Sequence, residues 1–117
     1  MSMKAVALAV LVLLVVLVPA TAPDGSAHET DKTLLDNDQV LVMEYVFPAG
    51  FKGEEHEAPV NEFAYVLDGE FAVVTKGKGK TVVKKGGLEY APKGTIHYSV
   101  NETRRPARVL VVLLKER

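Results

Sequence analysis

The sequence has no cysteine and no tryptophan among its 117 residues. Without cysteine there is no disulfide, no thiolate metal site and no cysteine nucleophile. A lipid-bearing N-terminal cysteine is excluded as well. Neither sign of charge is in excess, with 14 Lys and Arg against 15 Asp and Glu. A dedicated nucleic-acid binder usually carries a basic surplus, so that class is set aside. Aromatics are sparse at 7%. The lysines Lys76, Lys78, Lys80, Lys84 and Lys85 have no aromatics interleaved among them, as a base-stacking surface would require. They read as a solubilising charge set on a hairpin edge. The length allows one compact domain.

What is abundant is apolar, at 48%, and it is unevenly placed. About 18 of the first 22 residues are apolar. Lys4 precedes an unbroken apolar run from Ala5 to Val18, and Pro19-Ala20-Thr21-Ala22 follows. This is the order of a secretory signal peptide: a positive start, an apolar stretch, then small residues for cleavage. The run falls short of the roughly 20 apolar residues needed for a span. Residues 1–22 are therefore expected to be an export signal, with cleavage possible after 20, 22 or 27. The alternative is an uncleaved anchor; both place the domain outside the cytoplasm, periplasmic or secreted. Residues 23–37 read as a linker and N-terminal arm, being small, polar and charged at first. The remainder, 38–117, is the folded domain.

From Val40 onward, short runs rich in Val, Leu, Phe and Tyr alternate with Gly and Pro. Turn signals every 8–12 residues predict an all-β sandwich or barrel. Strands are expected at 40–47, 54–57, 61–67, 70–75, 80–84, 88–91, 95–100 and 107–114. Asp68-Gly69 between two apolar runs predicts a hairpin. Alternation in 61–67 sets Glu62, Ala64 and Val66 on one face and Phe63, Tyr65 and Leu67 on the other. Both faces are mostly apolar, as they are along Val109–Leu114. A strand apolar on both sides needs cover on both, which predicts a homodimer packed through a sheet face or edge.

Two spaced motifs follow. The first runs Gly50, five residues, His56, then Glu62, six residues, Gly69. The second runs Gly86, five residues, Pro92, one, Gly94, two, His97, three, Asn101. The pair resembles the two cupin motifs, G-x5-H-x-H-x3-4-E-x6-G and G-x5-P-x-G-x2-H-x3-N. Every fixed position is matched except one, where Ala58 replaces the second His. The resemblance implies a double-stranded β-helix, or jelly roll, cupin barrel with an internal pocket. It also implies metal ligands at His56, Glu62 and His97. Imidazole and carboxylate suit Fe, Mn, Ni or Zn, and two His with one carboxylate is also the ligand set of non-haem iron centres. Dioxygenase, isomerase and decarboxylase activities all fit the family, and the fold does not choose among them. With one ligand gone, a metal-free binding or dimeric scaffold module is the alternative.

No neighbouring residue replaces the missing His. Glu55 and Glu57 flank His56 and alternate to the other face, and Ser99 is a poor ligand. His28 falls in the linker, which leaves water as the substitute. Tyr65, Phe71 and Tyr90 are the aromatic candidates for lining the pocket around a small-molecule ligand.

Overall fold

The computed structural model describes residues 27–116 of the chain. The expected export segment lies outside the described residues. Nine strands make up the regular structure: β1 (Thr30–Asp36), β2 (Val40–Phe47), β3 (His56–Glu57), β4 (Asn61–Asp68), β5 (Glu70–Thr75), β6 (Gly79–Lys84), β7 (Leu88–Ala91), β8 (Ile96–Val100) and β9 (Ala107–Leu114). The described residues contain no helix. Two antiparallel sheets face each other, one ordered β1-β2-β9-β4-β7 and the other β3-β8-β5-β6. This is the all-β double-stranded jelly roll that the turn spacing and the motifs predict.

Seven of the eight expected strands fall within about one residue of their predicted bounds. The strand expected at 54–57 is reduced to His56–Glu57. Two expectations need correction. The segment 23–37 is not simply a linker, because Thr30–Asp36 forms β1 and pairs along β2, Thr30 opposite Val46 and Asp36 opposite Leu41. Its residues are all exposed, so no apolar pattern announced it. Secondly, Asp68-Gly69 is not a hairpin. β4 pairs with β9 and β7, whereas β5 pairs with β6 and β8. The turn carries the chain from one sheet to the other. Gly69 sits at φ +75, and a Cβ there would lie 2.5 Å from the Pro106 carbonyl oxygen. Both conditions require glycine.

The core lies between the sheets. Phe47, Phe51, Val66, Phe71, Val73, Val83, Ala107 and Val109 are buried in one cluster. Phe47 stacks on Phe51 with centroids 5.0 Å apart and tilts against Phe71 at 5.4 Å. The same three aromatics line a cavity between the sheets.

Candidate metal centre

His56 and His97 are directly opposed across the β3–β8 pair. Opposed residues on paired strands project to the same face, and the two rings meet edge to face with centroids 4.7 Å apart. Glu62 comes from β4 in the other sheet, so the cluster bridges the two layers. Donor atoms of His56, Glu62 and His97 all lie within 4.8 Å of one another.

The second motif positions His97 by a tight turn. Thr95 Oγ1 donates to the Pro92 carbonyl at 2.6 Å, and the Gly94 amide donates to the Ala58 carbonyl at 2.9 Å. The Ala58 amide donates to Thr95 O, and the Lys93 amide to Asn61 Oδ1. The turn before β8 is thereby bonded to the segment joining β3 and β4, which holds the three donors in register. The Glu54 carbonyl oxygen lies 3.1 Å from His56 Nδ1. A backbone acceptor on one ring nitrogen orients the ring and leaves the other free as a ligand.

The electrostatics of the cluster suit a cation. Burial, reinforced by His56, holds the His97 pKa below its ordinary value, which favours the neutral ring. Burial pushes the Glu62 carboxyl up, and His56 partly offsets this. His97 Nε2 lies 3.7 Å from Glu62 Oε2. That distance is too long for a hydrogen bond, and a neutral imidazole makes no ion pair. His97 Nδ1 is buried with no hydrogen-bond partner among the described residues. Nδ1 is thus the orphaned nitrogen of a 7% exposed histidine, while Nε2 stands beside Glu62. What suits a metal ion is the convergence of two imidazoles and a carboxylate on one point. The donor set fits a divalent metal with three protein ligands.

The cluster opens into a cavity of about 680 Å³, in the range of small-molecule sites. Phe71 lines it, as expected from the sequence. Tyr65 and Tyr90 do not, and the pocket-lining role assigned to them is corrected. Tyr65 is opposed to Leu88 and Leu110, and Tyr90 to Phe63, on the outward face of the five-stranded sheet. They are 41% and 49% exposed. The alternation in 61–67 already set Tyr65 opposite Glu62.

Sequence reading missed Tyr45, Phe47 and Phe51 on the cavity wall, and with them Glu89. Glu89 lies opposite Ala64 on the inner face of β7. Its carboxyl is pushed up to about 7, first by burial and second by Glu62. The signal was available: in Leu88-Glu89-Tyr90-Ala91 the large apolar residues point outward and the acid inward. His28, set aside as a linker residue, also lies on the cavity rim with Ala27 and Glu29. Ala58 is fully buried, off the cavity wall, and offers no donor.

Comparison with known proteins agrees with this architecture. No curated protein matches the chain. Among solved structures, a cupin superfamily protein from Desulfitobacterium hafniense superposes with TM-score 0.69 at 18% identity, covering 78% of this chain and 81% of that one. An RmlC-like cupin with a double-stranded β-helix fold from Methanocaldococcus jannaschii gives 0.69 at 17% identity, over 81% and 86%. The DMSP lyase DddQ from Ruegeria pomeroyi gives 0.70 at 21% identity, over 75% of this chain and 47% of that one. At these identities the likeness shows the fold alone. Residues 43–113 match the cupin domain family model, and the chain belongs to the cupin family.

Proposed function

We propose that this cupin domain holds a divalent metal on His56, Glu62 and His97 and with it binds or acts on a small oxygenated molecule in the barrel. The observation that carries the reading is the convergence of donor atoms from His56, Glu62 and His97, all within 4.8 Å of one another on the wall of one cavity. Fe, Mn, Ni and Zn all suit two imidazoles and a carboxylate. A bound cation would supply Lewis acidity to an oxygen of the molecule in the cavity. The chain's own residues do the rest. Glu62 supplies the negative charge, and His56 is held by the Glu54 carbonyl. Phe47, Phe51 and Phe71 form the apolar end against which a small molecule packs. Glu89, with its carboxyl near pH 7, is a proton acceptor or donor within the same cavity.

The apolar start of the chain supports export, so the domain acts outside the cytoplasm in this reading. A homodimer belongs to the same reading. Phe63, Tyr65, Leu88, Tyr90, Leu110 and Val112 form one apolar outward face, and the Glu44–Arg108 ion pair at 3.0 Å borders it. A second copy would present the same face, so the apolar centre meets its like under two-fold symmetry.

The test is metal content by mass spectrometry after loading with Fe, Mn, Ni and Zn in turn. The wild type is expected to retain one metal per chain, and His56→Ala and His97→Ala to lose it. A folded wild type that retains none after all four loadings would show the reading to be wrong.

A further inference from the structure

The cluster is one donor short of the family pattern, and the strand carrying His56 cannot make up the difference. Ala58 is fully buried and off the cavity wall. The arm ahead of β1 reaches the same cavity from another direction. Ala27, His28 and Glu29 line its rim. The β1–β2 register places Thr30 opposite Val46 and Asp31 opposite Tyr45. Tyr45 faces the cavity, and alternation then puts Asp31 and Glu29 on the inner side of the sheet, with Thr30 outward. Burial and Asp31 push the Glu29 carboxyl up, and His56 partly offsets this. Three protein donors converge at the centre, and none of them comes from the arm.

We propose that the arm is part of the metal centre and that Glu29 supplies the donor that Ala58 does not. The inference rests on the metal reading above. Glu29 lies outside the four-residue array of the family motif, on a segment that is exposed and held by the β1–β2 pairing. Glu29 lines the same cavity as His56, Glu62 and His97.

The experiment titrates Co(II) into the full chain and follows affinity and the visible absorption of the bound ion. The variants are Glu29→Gln, Asp31→Asn, His28→Ala and His97→Ala. Glu29 is exposed and Gln matches its shape, so folding is expected to be unchanged, which circular dichroism checks. Glu29→Gln is expected to weaken Co(II) about tenfold or more and to alter its absorption spectrum. Asp31→Asn and His28→Ala are expected to stay within about twofold of wild type with the wild-type spectrum. Equal weakening by Glu29→Gln and Asp31→Asn with no spectral change would reduce Glu29 to a nearby charge and overturn the inference. So would a His28→Ala loss without a Glu29→Gln loss, or Glu29→Gln at wild-type affinity while His97→Ala abolishes binding; in those cases the metal reading stands. A wild type that takes up no Co(II) overturns both.

Discussion

Asn101 and Glu89 are two buried or half-buried polar side chains with opposite fates. Asn101 has no exposed surface, and its amide is fully engaged. Nδ2 donates to Phe47 O and Arg105 O, and Oδ1 accepts from the Thr103 amide and hydroxyl. The last fixed residue of the second motif is thus a structural clamp, holding the β8–β9 turn to the end of β2. Glu89 has no such partners and sits near Glu62, which is why its carboxyl rises from 4.5 to about 7. A carboxyl whose folded value exceeds its unfolded value favours folding in its protonated form. That contribution is complete below about 4.5 and is lost as pH rises through about 7. Glu89→Gln stays neutral throughout. In the metal-free protein it is expected to match wild type near pH 4.5 and exceed it by about 1–2 kcal/mol at pH 8, after discounting for solvent screening. Urea denaturation at the two pH values measures this, and parallel stabilities across the range would count against the assignment.

At the scale of elements, the turns decide where the site residues go. Gly69 passes the chain from the β4 sheet to the β5 sheet against the Pro106 backbone. Gly69→Ala adds a left-handed strain and a backbone clash together, and a cost of about 2 kcal/mol or more is expected in thermal or chemical unfolding. A loss under half that size would mean the turn relaxes freely. The motif spacing marked this glycine, yet the hairpin rule misplaced the partner strand. Two apolar runs around Asp-Gly are locally the same whether the second run pairs back or crosses over. The choice is made by β9, which takes the place beside β4 that β5 would have held. β1 escaped notice for a related reason: its residues are exposed, and it is held by backbone pairing to β2.

At the scale of the molecule, the five-stranded sheet turns an apolar face outward, with Tyr65, Leu88 and Tyr90 exposed on it. Exposed apolar residues of this kind are what the proposed homodimer would cover. The proposed homodimer predicts a mass of two chains by light scattering at about tens of micromolar, where interfaces of typical affinity are filled. Tyr90→Glu is expected to give monomers that still retain metal, because Tyr90 faces away from the cavity. Monomeric wild type at that concentration would remove the dimer and leave the metal centre untouched.

The chain by itself determined the strand spacing, the jelly roll and the three donors His56, Glu62 and His97. The strand spacing follows from short-range turn chemistry and period-two alternation, and the three donors are what the resemblance to the cupin motifs implies; both signals are local in sequence. Only the tertiary structure decided that Tyr65 and Tyr90 face out, that Glu89 faces in, that Asn101 is a clamp and that the arm reaches the cavity. Each depends on which strands become neighbours, and antiparallel partners such as Thr30 and Val46 or Phe63 and Val112 are set by the closing of the whole barrel. The absence of cysteine keeps its first meaning, since no thiolate contributes to the centre. The linker is the segment whose reading changed most, from a polar spacer to a strand and the rim of the site.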